Sequence, residues 1–477
     1  MDSQRLARHV GQLWDDSIVP TLCDYIKIPN KSVNFDPQWA EAGHMDRAAE
    51  LMRTWCAAHA LPGMTTEVLR LPNRGPLLLV EVPGTGSRAT DDCILLYGHM
   101  DKQPEFTGWS EGLSPWTPVL RDGRLYGRGG ADDGYAVFGS LTALLALAEQ
   151  KIPHARCVIL IESGEESGSP DLPAYIDTLA ERIGQPSLVV CLDAECSNYQ
   201  QLWCTTSLRG NLIGTLSVQV LREGVHSGMA SGIVPSSFRI LRQLLDRVED
   251  SSNGRILLDD LYCPIPSDRQ QQAGGTAQAL GTEIFRKFPL LQAGQPVTAD
   301  TRELLLNNTW RPTLSVTGVD GIPPPSSAGN VLRPFTSLVL SFRLPPNVDP
   351  QRAAQSVKQT LESSPPYGAH VRFEVESSMG GWNAPTNAPW LEAALDSASK
   401  NFFGQPPMYL GAGGSIPFMA MLSEKFPQTQ FMVTGVLGPQ SNAHGPNEFL
   451  EIATGKRVTQ CVAEVIAAHA QRAGAQR

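Results

Sequence analysis

Four apolar runs in this chain break off at side chains that bind metals, and that repeated ending restricts the fold more than any other feature of the sequence. Ile94-Leu95-Leu96-Tyr97 leads into Gly98-His99-Met100-Asp101, and Val158-Ile159-Leu160-Ile161 into Glu162-Ser163-Gly164-Glu165-Glu166. Leu188-Val189-Val190-Cys191-Leu192 leads into Asp193, and Phe431-Met432-Val433 into a glycine-rich loop carrying Asn442-Ala443-His444-Gly445. Runs this short, bounded by Gly and Pro, read as buried strands. The carboxyl edge of an open α/β sheet is where ligands bind. Between the first two runs lies Gly127-Arg128-Gly129-Gly130-Ala131-Asp132-Asp133-Gly134, and an apolar helical stretch follows it. A helix N-terminus tolerates negative charge, but two adjacent acids beside a strand ending in histidine point to a cation between them. Each feature alone has an ordinary explanation, a hydrogen-bonded His-x-Asp pair or an N-cap. Solvated surface acids do not explain four such strand ends.

The rest of the chain supplies the helices. Leu6, Val10, Leu13, Trp14, Ile18 and Leu22 recur at helical spacing over residues 2–28, and a second amphipathic helix is expected over 45–60. Residues 66–71 and 76–82 read as strands. Helices alternating with apolar strands predict an α/β fold, a mixed sheet covered by helices on both faces. Beyond Trp203 the texture changes: strands at 212–220, 337–343 and 370–375 alternate with helices at 235–248 and 349–361, the latter with Pro350 at its first position. These form two strand–helix–strand units, an inserted smaller α+β (ferredoxin-like) layer. Residues 253–312, rich in Gln, Gly and Asn without sustained periodicity, read as an insertion or loop. Helical patterns at 389–402 and 453–470 return the chain to the first layer. The expected organisation is a catalytic domain in two parts, 1–205 and 386–477, around a second domain at 206–385.

With 42% hydrophobic and 18% charged residues, 477 residues suffice for two globular domains. A formal charge of −10 offers no basic stripe, which excludes a nucleic-acid partner. Nine scattered cysteines without a C-x-x-C pair read as buried reduced thiols. Residues 1–30 lack an apolar leader core and no run approaches the roughly 18 apolar residues of a membrane span. A cytoplasmic address without membrane contact is expected. Among the histidines, His99, His226 and His444 sit in glycine-bounded loops at strand ends, where functional side chains concentrate. His9, His44, His59, His154 and His469 lie in or beside helical, polar stretches and are expected at the surface, and His370 opens a strand.

Glu165 and Glu166 point in different directions, so one can ligate a metal while the other faces substrate as a general base. Imidazole and carboxylate ligands without thiolate favour Zn²⁺, with Mn²⁺ or Co²⁺ feasible.

The ordered motifs YGHMDKQP, GRGGADDG, ESGEESGS, CLDAE and NAHGPNE resemble those of the M20 family of zinc peptidases, in the branch of carnosinase-like cytosolic dipeptidases. The resemblance runs from about the first helix to the last. It implies two divalent metal ions bridged by Asp132. His99, Asp193, Glu166 and His444 complete the ligand set, their division between the ions left open. It further implies Glu165 as the general base acting on a metal-bridging water, Asp101 as the acid that orients His99, and a cis peptide between Asp132 and Asp133. Arg343, Asn330 and Ser415 match substrate contacts. Arg343 matches the arginine that holds a substrate carboxylate, a role suited to its bidentate geometry. His226 matches a histidine that reaches into a partner's site, so the 206–385 segment would be a lid and dimerisation domain and the protein a homodimer. Two positions depart from the pattern. Gly134-Tyr135 follows the Asp pair where many relatives have Lys, and Ala412 precedes Gly413-Gly414-Ser415 where many have an acid. Hydrolysis of dipeptides or short peptides with a free C-terminal carboxylate is the expected function. An N-acyl amino acid amidohydrolase with the same dinuclear site is the neighbouring alternative, and a catalytically silent metal-binding protein the remote one.

Overall fold

The apolar runs become adjacent strands of one six-stranded sheet, in the spatial order Thr65–Leu69, Leu77–Val82, Arg156–Glu162, Cys93–His99, Pro186–Cys191, Gln430–Val433. The sheet belongs to a computed structural model that describes residues 1–86, 92–414 and 417–472. Its last four strands are parallel and its first two antiparallel, so it is mixed. Alternate side chains such as Leu78, Val80, Ile94, Leu96, Ile159, Ile161, Leu188 and Val190 share a core with helical residues including Leu6, Phe138, Leu141, Leu395 and Val462. The intervening Leu77, Leu79, Leu95, Tyr97, Val158, Leu160, Val189 and Cys191 are buried as well. Both faces are therefore covered, which is why these strands read as continuous apolar runs. Each buried Leu, Ile or Val contributes about 1.5–3 kcal/mol relative to leaving it exposed.

Parallel register is what lines up the strand ends. His99 pairs with Glu162, Tyr97 with Cys191, and Val433 with Cys191, so His99, the 165–166 turn and Asp193 leave the sheet at one edge.

The N-terminal helical segment runs as expected but in three parts, Ser3–Leu13, a wider π turn at Trp14–Ile18, and Val19–Ile26. Asp2 caps it by accepting the Gln4 and Arg5 amides. The second helix spans His44–Ala58. Cys56, Cys93, Cys157, Cys191, Cys196, Cys204 and Cys461 are buried free thiols, and Cys23 and Cys263 are free and half-buried.

The chain divides into two compact units, Met1–Thr205 with Ala384–Leu410 and Met421–Arg477, and Thr206–Asn383 with Gly411–Ala420. The second unit has its own four-stranded antiparallel sheet, ordered Thr313–Asp320, Phe335–Leu344, Gly210–Gln219, His370–Met379. Burial alternates along its two central strands. The buried set, including Leu212, Leu216, Leu340 and Phe342, packs on Ile240 and Leu244 of the Ser237–Leu245 helix and on Val357 and Leu361 of the Pro350–Glu362 helix. Asp349 caps that last helix, with Pro350 in its first turn.

Two expectations fail. Residues 253–312 are not an unstructured insertion, for they hold helices at Ser267–Leu280 and Thr301–Thr309. The first of these carries Gly274 and Gly275 in its middle and buries only Arg269, Thr276 and Ala277, so no apolar stripe marks it. Polar contacts anchor it instead, with Arg269 donating from Nε to Asn383 at 2.9 Å. His154 and His469 are core residues rather than surface ones. His469 Nε2 lies 2.8 Å from Ser187 Oγ, and its ring meets Trp390 edge-on at 5.4 Å. Burial, helped by Arg472, pushes His469 down to about 4, so it is a neutral core imidazole. His9, His44 and His59 are half-buried. Among the described residues no helix is long and apolar enough to cross a membrane.

Candidate metal centre

His99 is the last residue of its strand and is fully buried. Its Nδ1 lies 3.1 Å from the Asp101 carbonyl and 3.4 Å from Asp101 Oδ1, acceptors for an Nδ1 proton that turn Nε2 toward Asp132. Both carboxylate oxygens of Asp101 also accept backbone amides, Oδ1 that of Glu165 at 3.2 Å and Oδ2 that of Glu166 at 3.0 Å. One buried acid thus fixes the imidazole and the turn that carries the glutamate pair.

Asp132 lies in the Gly130–Gly134 turn that opens the Ala136–Glu149 helix, and the peptide to Asp133 is cis. Its Oδ1 is 3.2 Å from His99 Nε2 and its Oδ2 is 3.1 Å from His444 Nε2. The carboxylate therefore stands between two imidazoles, one oxygen toward each. On the His99 side, Asp193 Oδ2 approaches Nε2 to 3.8 Å, and the donor atoms of His99, Glu165 and Asp193 all lie within 4.8 Å of one another. On the other side Glu166 Oε2 is 3.2 Å from His444 Nε2, and His99, Asp132 and Glu166 form a second cluster of the same tightness. Asp132 thus lies between His99 and Asp193 on one side and His444 and Glu166 on the other, while the second cluster also sets Glu166 near His99. His444 comes from a loop with left-handed backbone, φ 63°. Its side chain is 56% exposed, yet Nε2 points inward between the two acids.

Asp133, which the sequence offers only as half of an acidic pair, and Gln103 and Gly98, which it does not single out, also shape the site. Asp133 Oδ2 accepts the His99 amide at 3.2 Å, and its other oxygen is buried without a hydrogen-bond partner among the described residues. Gln103 donates to Glu166 Oε2 at 2.6 Å. Gly98 allows the close approach: a Cβ there would come within 2.5 Å of Ala136 Cβ and 2.6 Å of Asp133 Oδ2. The only sequence signal for these was adjacency to the His-x-Asp and Asp-Asp pairs.

The centre is overloaded with negative charge. Asp132, Glu165, Glu166 and Asp193 face two imidazoles, and among the described residues no Lys or Arg forms an ion pair with any of them. Burial, then the neighbouring acids, pushes the Glu165 carboxyl well above its usual range and Asp193 up to about 7, and Glu166 is raised for the same reasons. Burial opposes protonation of His99, but Asp101 and Asp132 overcome it and hold the imidazole well above its usual value. In the same way Asp132 and Glu166 lift His444 to about 11. Against the burial penalty, the two imidazoles hold Asp132 below the usual carboxylate range. Such a cluster is costly in a low-dielectric interior unless cations offset it. Nitrogen and oxygen donors with no thiolate, one carboxylate shared, and Asp133's orphaned oxygen behind them fit two divalent ions.

Among the described residues no hydrogen bond ties down the carboxylate of Glu165 or that of Asp193, and Asp193 Oδ2 comes to 3.8 Å of His99 Nε2. The residues expected at the substrate lie on the second unit. His226 pairs with Val331, and the Ser227 amide donates to the Asn330 carbonyl at 2.9 Å, so His226 and Asn330 share one exposed ribbon. Arg343 is on a different element, half-buried in the Phe335–Leu344 strand. Ser415 lies outside the described residues.

The chain is 26% identical over 365 residues to the cysteinylglycine-S-conjugate dipeptidase of Corynebacterium striatum, covering 75% of this chain and 77% of that one. It is 26% identical to the human beta-Ala-His dipeptidase, covering 86% and 82%. The structure of the dipeptidase Dug1p from Saccharomyces cerevisiae superposes with a TM-score of 0.76 at 20% identity, over 99% of both chains. The model of peptidase family M20/M25/M40 matches residues 95–468, from inside the strand that ends in His99 to the last helix. Every residue of the acid-and-imidazole centre falls within that match, and the chain is a member of peptidase family M20/M25/M40.

Proposed function

We propose that this protein is a metal-dependent dipeptidase that cleaves the amide bond of dipeptides or short peptides bearing a free C-terminal carboxylate. The observation that carries this reading is the shared position of Asp132 between two imidazoles, with the untethered carboxylate of Glu165 beside them. The relatives compared above are dipeptidases by name, which supports the same substrate class.

In this reading His99 and Asp193 would hold one divalent ion and His444 and Glu166 the second, with Asp132 serving both, and Zn²⁺ would be the ion best suited to the donors. Two bound divalent ions supply Lewis acidity, polarising the scissile carbonyl and making water a competent nucleophile near neutral pH. Glu165 takes the proton from that water and delivers it to the leaving amine, a role that its carboxylate, free of hydrogen bonds among the described residues, is placed to fill. Asp101 keeps His99 in the tautomer that presents Nε2. Arg343 takes the substrate carboxylate, Asn330 and Ser415 add polar contacts, and His226 donates to the carbonyl oxygen as it becomes negative. We assign the 206–385 segment the role of lid and dimerisation domain, His226 acting across a homodimer. The free thiols support a cytoplasmic, reducing address.

The test is amino-acid release from a dipeptide panel and an N-acyl amino acid panel, each with and without chelator. Chelator-sensitive cleavage of dipeptides is expected. Cleavage confined to N-acyl amino acids would replace this reading with a deacylase, and no cleavage of either would leave a metal-binding protein without this chemistry.

A further inference from the structure

Arg128 is a buried cation four residues before Asp132, 1% exposed, and it joins three segments that are distant in sequence. Its Nη1 donates to Glu448 Oε2 at 2.6 Å, its Nη2 to the Gly445 carbonyl at 2.8 Å, and its Nε to the Pro104 carbonyl at 3.2 Å. Glu448 is fully buried, its other carboxylate oxygen accepts the Gly129 amide at 2.9 Å, and its carbonyl accepts the Gly127 amide at 3.0 Å. The Phe106 and Trp109 rings lie 5.8 and 5.7 Å from the guanidinium carbon. The pair is therefore bolted to the turn that carries Asp132 on one side and to the loop that carries His444 on the other.

The two halves of the centre are held by different means. His99 and Asp193 extend from parallel strands, so sheet register places them. His444 has no such support: its loop backbone is left-handed and its ring is largely exposed, so Nε2 can stay between Asp132 and Glu166 only if the loop is pinned from behind. The residue next to it, Gly445, is the one Arg128 holds. A buried ion pair adds little stability over a well-packed apolar pair, so its use here fits a demand for position rather than for stability.

We propose that the Arg128–Glu448 pair is a positioning device for one of the two ions, setting the affinity of the His444 side of the centre and leaving the His99 side unaffected. The inference rests on the two-ion reading above.

Zn²⁺ stoichiometry and affinity, measured by competition with a chromophoric chelator on the full chain, test it together with circular dichroism as a check of fold. Wild type should hold two ions. Arg128→Met and Glu448→Gln should each hold one ion at wild-type affinity and the other about 10–100-fold more weakly, the usual effect of losing a partner behind a ligand. His444→Ala should show the same selective loss, and Arg128→Met combined with His444→Ala should lose no more than His444→Ala alone, because both changes act on one ion. Glu448→Gln keeps the shape of the pair and removes its charge, so it decides the matter where Arg128→Met does not fold. Fewer than two ions on wild type would overturn the two-ion reading itself. Two ions on wild type with both weakened equally in the variants, with neither weakened, or with additive losses in the double variant, would overturn the positioning role.

Discussion

Glu165 and Glu166 are adjacent in sequence and lead separate lives in the structure. Glu166 is committed, approached by His444 and hydrogen-bonded by Gln103, whereas the Glu165 carboxylate is held by no hydrogen bond among the described residues. Glu165→Gln should therefore lower turnover by about 10²–10⁴-fold while both metals stay bound, a magnitude set by the loss of a general base. Metal analysis of the purified variant checks this, and loss of one metal per chain would make Glu165 a ligand. The same residues govern pH behaviour. His99, His444, Glu165, Glu166 and Asp193 all have raised pKa values in the cation-free protein, with His444 at about 11 and Asp193 at about 7. Ligation requires His99, His444, Glu166 and Asp193 deprotonated, so metal uptake must expel protons and apparent metal affinity must rise with pH. Raised folded-state values also mean that the stabilisation of the cation-free fold by these protons is fully present below the unfolded values and is lost as pH climbs. For His444 that window runs from 6.5 to about 11. Chelator-treated protein should melt at lower temperature at pH 9 than at pH 6.5, and calorimetry in buffers of different ionisation enthalpy should register proton release on Zn²⁺ addition.

At the scale of elements, strand ends were legible in the sequence because parallel strands buried on both faces leave unbroken apolar runs that stop abruptly at polar groups. That is how His99, the Glu165-Glu166 turn, Asp193 and His444 could be singled out, and the placement of the first three at one edge follows from register. Elements whose support is polar were not legible. The Ser267–Leu280 helix has no apolar stripe, and His469 looks like a surface residue until Trp390 and Ser187 close over it. Asp133 could be read as half of an acidic pair, but its hold on the His99 backbone depends on the turn reversing beside the strand. Gly98 belongs to this level too, as the point where strand and helix start come closest. Gly98→Ala should cost about 1–3 kcal/mol through overpacking and weaken metal binding, because Asp133 and Ala136 must retreat from His99. Thermal melts and Zn²⁺ titration of the variant check both effects. Wild-type values in both would mean the contact relaxes without consequence.

The whole molecule brings in the second unit. His226 and Asn330 share an exposed ribbon on it and Arg343 lies in its sheet. A trans-acting His226 has a measurable signature. Mixing inactive His226→Ala with inactive Glu165→Gln protein should restore part of the activity, since a mixed dimer owns one site with both groups intact, and losing such a donor typically costs about a hundredfold or more in kcat. No recovery despite demonstrated subunit exchange would place His226 within its own chain or outside the reaction.

The central claim, that a pair of ions held by one shared aspartate drives peptide hydrolysis, is tested most directly by reconstitution. Chelator-stripped wild-type protein is titrated with Zn²⁺ while dipeptide cleavage is followed. The account predicts no cleavage without metal and activity that reaches its plateau at two equivalents per chain. Full cleavage after complete metal removal, or a plateau at one equivalent, would contradict it.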